Sequence, residues 1–147
     1  MAESQMRERC PNAKRVGKAA FPDHRLAFPR FSTNRQCGVS SLVPATGETA
    51  WGVLFELDAE DLRSLDKHEG YRAGRSPAQN SYERREATVL RDGDPSAPVC
   101  AWTYFANPQP GVHVPSAAYL KLIIDGARDA GLPQAYIAKL LQVEPMK

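Results

Sequence analysis

The sequence predicts an α+β domain: a small mixed, mostly antiparallel sheet or β-barrel, flanked by helices that pack on it. Two patterns point there. Residues 38–106 hold four runs in which β-branched and aromatic residues cluster between Gly/Pro punctuation, whereas residues 116–141 repeat leucine and isoleucine at helical spacing. Size agrees, because 147 residues fall within one domain and can bury roughly 70% of the surface exposed by the unfolded chain. We therefore expect a single domain over residues 1–147, with no repeat, low-complexity tract or linker.

Each element has a local reason. Ser4 to Cys10 predicts a short polar helix stopped by Pro11, and Ala13 to Ala20 leads into a strand around His24 to Phe28. Gly38–Val43 (GVSSLV) and Ala50–Leu57 (AWGVLFEL) predict two strands of a hairpin joined by the turn signal PATGET. The next segment, LDAEDLRSLDKHEG, is the best-specified helix. Asp58 suits the N-cap, Glu60 and Asp61 complement the positive end, Leu57 can staple onto Leu62, and Gly70 suits the left-handed position after the helix. Tyr71–Ser81 has no periodicity and predicts a flap or variable edge. Tyr82–Leu90 and Val99–Ala106 predict a second strand pair around RDGDPSAP, so that all four strands are short. Ser116 then caps a helix carrying Leu120, Ile123, Ile124 and Ala127, with Gly131 at its end. Pro133 opens another helix, whose stripe of Ile137, Leu140 and Leu141 is expected in the core.

Composition narrows the function. The chain is 42% hydrophobic and 24% charged, has no apolar run near the ~20 residues that span a bilayer, and begins without a signal-peptide pattern. A soluble, cytoplasmic protein with no membrane partner is expected. Cys10, Cys37 and Cys100 are odd in number and widely spaced, and His24, His68 and His113 lack ligand spacing, so we expect reduced thiols and no metal. No phosphate loop, GxGxxG or GxSxG is present. Net charge is +2, yet the first 35 residues hold eight Lys/Arg against three Asp/Glu. Without a nucleic-acid module, that imbalance fits an electropositive rim for an anionic small substrate better than a nucleic-acid partner.

Glu69 is out of place by helix logic, since a carboxylate at a helix C-terminus opposes the macrodipole by about 0.3–1 kcal/mol. If buried there, desolvation and the helix end would both raise its proton affinity toward values useful in general acid/base catalysis, with Lys67 and His68 opposing. A surface glutamate at a frayed helix end satisfies the same residues. Tyr82 and Tyr119 have hydroxyls that could reach a cleft, or could belong to half-buried aromatics with satisfied hydroxyls.

The order of motifs goes further. MRERCP, GVSSLVP, WGVLFEL, LDKHEG, the strand opened by Tyr82, AWTY and PSAAYLKLIIDGARDAGLPQAYI follow one another along nearly the whole chain. This series resembles the gamma-glutamylcyclotransferase-like family. The resemblance implies a small barrel with a cavity at one end, no metal and no organic cofactor. It also implies a cyclotransferase in which the glutamate of LDxxEG, here Glu69, is general base and acid. That glutamate takes a proton from the α-amino group of a gamma-glutamyl amine or amino acid as the amine closes on the γ-carbonyl and 5-oxoproline forms. Tyr82 and Tyr119 match the family's strand and PSxxY tyrosines and are carried over as substrate-binding candidates.

One departure matters. The family's substrate-binding loop, YGSN, ends a first strand, and this chain contains no such tetrapeptide. We expect that Met1 is an internal methionine and that the first strand and loop lie upstream, leaving residues 1–147 N-terminally incomplete. Two consequences are expected: weaker activity than in a longer form, and unpaired strand edges that invite pairing into a homodimer. The alternatives in function are a catalytically silent small-molecule-binding domain of the same fold and nucleic-acid binding by the basic N-terminal third.

Overall fold

The computed structural model describes residues 3–147. Met1, on which the expected upstream continuation turns, lies outside the described residues. Helix α1 (Glu3–Arg9) precedes two long strands, β1 (Lys14–Ser32) and β2 (Cys37–Glu56), then α2 (Ala59–His68). A second strand pair follows, β3 (Tyr82–Arg91) and β4 (Pro98–Ala106), and two helices complete the chain, α3 (Ala117–Asp129) and α4 (Gln134–Leu141). The four strands form one sheet in the order β2-β1-β3-β4, antiparallel throughout. The α+β class is as the sequence predicts.

The first half of the sheet departs from expectation. Gly38–Val43 and Ala50–Leu57 do not pair with each other; both belong to β2, and both pair with β1. The register runs from Lys14↔Glu56 to Ser32↔Cys37, so the hairpin turn is Thr33–Gln36, where Gln36 has φ +53°. PATGET contributes a bulge instead of a reversal. Between Pro22↔Thr49 and His24↔Pro44, residues 45–48 stand opposite the single residue Asp23, whose carboxylate accepts the Gly47 N–H at 2.9 Å. Turn residues can thus bend a strand pair without ending it. As a result β1 and β2 are long, 19 and 20 residues, and the strand expected around His24–Phe28 begins at Lys14.

The sheet curls without closing among the described residues. β1 and β3 pair only at Ala19↔Arg91 and Ala20↔Leu90, then diverge. The outer strands β2 and β4 meet through one buried side-chain bridge, the Ala106 N–H donating to Ser41 Oγ at 3.0 Å. Near that bridge the chain after β4 crosses β2 closely, Gly38 N–H donating to the Val114 carbonyl at 2.7 Å. A Cβ at Gly38 would lie 2.9 Å from the Val114 backbone, so only glycine fits.

Two apolar clusters hold the helices. Leu120, Ile124, Ala127, Leu132, Ile137 and Leu140 fix α3 and α4 to each other and to Leu26 and Trp51 of the sheet. Each fully buried Leu or Ile of this kind contributes about 1.5–3 kcal/mol. Leu141, expected in the stripe, is 55% exposed, because the short α4 presents only Ile137 and Leu140 inward. The second cluster, Met6, Cys10 and Leu65, joins α1 to α2 and packs on Phe55, Leu57 and Tyr104. No helix among the described residues is long and apolar enough to cross a membrane.

Candidate active site

Helix α2 begins and ends as its sequence dictates. Asp58 caps it, accepting the Asp61 N–H at 2.7 Å. At the other end the Gly70 N–H reaches the Lys67 carbonyl at 3.2 Å and the Tyr71 N–H reaches Asp66 at 2.9 Å, with Gly70 at φ +66°. This is a complete Schellman motif, and it makes Glu69 the C-cap. The helix end is ordered, so Glu69 is not a residue at a frayed terminus.

The Glu69 side chain is only 16% exposed and lines a cavity of about 1360 Å³. Its sole ionic contact among the described residues is Arg9 Nη1, 3.5 Å from Oε1. Burial raises its pKa above the ordinary 4.5, against the pull of Arg9, Arg35 and His68 toward the ionised form. Desolvation is the largest influence, and Arg9, the nearest charge among the described residues, stands 3.5 Å away without a short hydrogen bond to the carboxylate. Of the two opposing neighbours foreseen in the sequence, His68 contributes and Lys67 does not.

Tyr82 and Tyr119 come together on Ser40, a residue to which no role attaches in the sequence. The Tyr82 hydroxyl donates to the Ser40 carbonyl at 2.9 Å. The Ser40 N–H donates to the Tyr119 hydroxyl at 3.1 Å, and Ser40 Oγ lies 2.8 Å from that hydroxyl. Tyr119 itself sits in the first turn of α3, with its N–H capped by Ser116 at 3.1 Å. Burial, with Tyr119 and Glu69 nearby, pushes the Tyr82 phenol above its ordinary 10.0, so it stays protonated. With that proton committed to Ser40, its lone pairs remain to accept from a guest. All four residues, Ser40, Glu69, Tyr82 and Tyr119, line the same cavity.

Three further groups position the site, and sequence reasoning missed them. Asp66, three residues before Glu69, accepts from Arg84 Nη1 at 2.8 Å and from the Tyr104 hydroxyl at 2.5 Å, tying α2 to β3 and β4. Ser64 Oγ donates to the Arg9 carbonyl at 2.7 Å, which sets α1 so that Arg9 faces Glu69. Asn80, 2% exposed, organises the loop after Glu69: its amide oxygen accepts from Arg72 N–H and Arg75 Nε, and Arg75 Nη2 donates to the Gly70 carbonyl at 3.1 Å. The Tyr71–Ser81 loop, expected as a flap or variable edge, is therefore pinned, and of its residues Ser81 borders the cavity. An Asn in a polar loop carries no sequence signal that distinguishes a hub from a turn residue.

The cavity exceeds the usual ~300–1,000 Å³ of a ligand pocket because one side lies along strand edges. Consecutive residues, Trp51–Leu57 of β2 and Val99–Tyr104 of β4, border it. Neighbouring residues of a strand point to opposite faces, so an unbroken run means that the space reaches both faces of these outer strands.

Comparison with known proteins agrees with this architecture. The AIG2-like family matches residues 49–140. The chain is 30% identical over 141 residues to a gamma-glutamylcyclotransferase of Bos taurus, spanning 93% of this chain and 70% of that protein. It is 28% identical over 148 residues to the gamma-glutamylcyclotransferase of Homo sapiens. A solved gamma-glutamyl cyclotransferase superposes with a TM-score of 0.85 at 25% identity, covering 99% of this chain and 83% of the other. YkqA from Bacillus subtilis shares the fold, with a TM-score of 0.74 at 17% identity. The family match over residues 49–140 and a relative 30% identical across 93% of this chain place it in the gamma-glutamylcyclotransferase-like, or AIG2-like, family.

Proposed function

We propose that this chain is a cyclotransferase that converts a gamma-glutamyl amine or amino acid into 5-oxoproline and the free amine, with Glu69 as general base and acid. The observation that carries the reading is a desolvated carboxylate facing a cavity with, among the described residues, a single, long ionic contact. Glu69 accepts a proton from the substrate's α-amino nitrogen as that nitrogen bonds to the γ-carbonyl carbon. It then returns a proton to the departing nitrogen as the C–N bond breaks, so the carboxylate is regenerated each turn. Nucleophile and electrophile belong to one glutamyl group, so folding it correctly can supply several kcal/mol. Tyr82 and Tyr119 wall the pocket, Tyr82 offering lone pairs and Tyr119 an aromatic face. The relatives named gamma-glutamylcyclotransferase support this reading.

The same proposal includes an upstream strand and loop that complete the site. The outer strands β2 and β4, which border the cavity and pair with no further strand among the described residues, support one more strand there. Exposed backbone N–H groups of its loop would bind the substrate's α-carboxylate. The in-frame coding sequence before Met1 is expected to encode an apolar strand ending in Y-G-S-N, and a stop codon directly before Met1 would reject this part.

Glu69→Gln tests the chemistry, since it keeps size and removes the base. Release of 5-oxoproline from a panel of gamma-glutamyl compounds is expected to vanish, and unchanged turnover rejects Glu69. Ligand binding without turnover by the chain extended through the upstream loop favours a silent binding domain.

A further inference from the structure

Three arginines from the basic first third of the chain line the cavity, and each keeps different company. Arg9 stands beside Glu69 at 3.5 Å. Arg30 spends Nη1 on the Asn107 carbonyl at 3.2 Å. Arg35 lies on the β1–β2 turn, half-buried, with its guanidinium carbon 4.7 Å from the centroid of the Tyr119 ring. Among the described residues no carboxylate lies within ion-pairing distance of it, and its side chain makes no hydrogen bond.

That setting is built and directional. The turn is fixed by the Arg35 N–H, which donates to Ser32 Oγ at 3.2 Å, and by Gln36, whose side-chain amide donates to the Thr33 carbonyl at 2.6 Å. The Tyr119 ring beneath the guanidinium is fixed in turn by Ser40. A guanidinium held over an aromatic face keeps its planar fork of donors for a carboxylate, which it can take through two parallel N–H···O bonds. Its charge also reaches into the site, for it favours the ionised forms of both Glu69 and Tyr82.

We propose that Arg35 is a substrate-positioning residue that binds a carboxylate of the gamma-glutamyl compound in the cavity. The proposal rests on the cyclotransferase reading of Glu69. A gamma-glutamyl amino acid offers two such groups, the glutamyl α-carboxylate and that of the departing amino acid. The shared chemistry is a carboxylate on the N–H edge of the Arg35 fork, whose flat face rests over the Tyr119 ring, while Arg9 keeps its place at Glu69.

The test compares Arg35→Met and Arg35→Lys with the unaltered protein on γ-glutamyl-alanine and on γ-glutamyl-ethylamide, which lacks the second carboxylate. Turnover is read as 5-oxoproline release, and binding by calorimetry on the same compounds in the Glu69→Gln protein with and without Arg35→Met. Arg35→Met is expected to raise KM and Kd for γ-glutamyl-alanine about tenfold or more with little change in kcat, and Arg35→Lys to recover part of the loss. A loss confined to γ-glutamyl-alanine assigns the departing amino acid's carboxylate. An equal loss on both compounds assigns the glutamyl one. Unchanged KM and Kd in a variant that melts cooperatively overturn the proposal, as does failure of γ-glutamyl-alanine to bind the Glu69→Gln protein. Binding that depends on Arg35 without any turnover by the unaltered protein rejects the Glu69 reading and leaves Arg35 standing. Turnover with binding indifferent to Arg35 does the reverse.

Discussion

Asp66 and Glu69 are carboxylates three residues apart near the end of one helix, and the fold treats them oppositely. Asp66 is saturated: Arg84 and Tyr104 donate to its two oxygens at 2.8 and 2.5 Å, and Arg84 is further held over the rings of Tyr71 and Trp102. Glu69 is equally hidden, 16% exposed against 19%, yet among the described residues has one ionic contact, at 3.5 Å. A buried carboxylate with short hydrogen bonds anchors structure, whereas one left short of partners keeps its proton affinity high and its oxygens available. The difference teaches that burial alone does not set what a carboxylate does in the fold; how far its hydrogen-bonding capacity is met by the described residues separates the two.

The comparison breaks most sharply in activity. Glu69→Gln is expected to lower 5-oxoproline release by about 100-fold or more, the scale of general acid/base catalysis, without loss of fold by circular dichroism. Asp66→Asn should do the converse, costing about 1–3 kcal/mol of stability in urea titrations because Arg84 loses its charged acceptor, with a smaller effect on turnover. Equal loss of activity in the two variants would erase the distinction. Tyr82→Phe removes the donor to Ser40 and one cavity acceptor, and is expected to raise KM several-fold at a cost of about 1 kcal/mol in stability.

Acidity sharpens the comparison further. The Glu69 pKa is raised in the folded chain, so the folded state holds a proton that the unfolded state releases above the ordinary value of 4.5. The benefit of that proton is complete below 4.5 and is lost as pH rises through the folded pKa, leaving a penalty at neutral pH. Melting curves of Glu69→Gln should therefore lie above those of the unaltered chain at neutral pH and converge with them near pH 4. A pH-independent gap would contradict the shift. Arg9→Met removes a cation that favours the ionised carboxylate, so the acidic limb of kcat/KM is expected to move to higher pH. The smallest expected effect is that of Gly70→Ala, about 1 kcal/mol, from forcing a side chain into φ +66° against Ser81.

Much of this was legible in the residues. Asp58, Ser116, Gly70 and Pro133 gave helices α2, α3 and α4 nearly to the residue, because caps act within four positions and need no tertiary partner. Resemblance, not periodicity, singled out Tyr82 and Tyr119. Strand pairing was harder to read. PATGET carries every mark of a reversal, and only the opposing strand, with Asp23 receiving Gly47, determines that it bulges and that β2 continues.

From the sequence alone came the α+β class, the capped helix ending at Glu69, and the anomaly of a carboxylate at the negative end of a helix. The tertiary structure alone decided what that anomaly means. It buried Glu69 beside Arg9, fed Asp66 with two donors from other strands, and set Ser40 between two tyrosines 37 positions apart in the chain. Local capping energies depend on neighbours in sequence, whereas a carboxylate's proton affinity depends on water excluded and donors supplied by segments that only folding brings near.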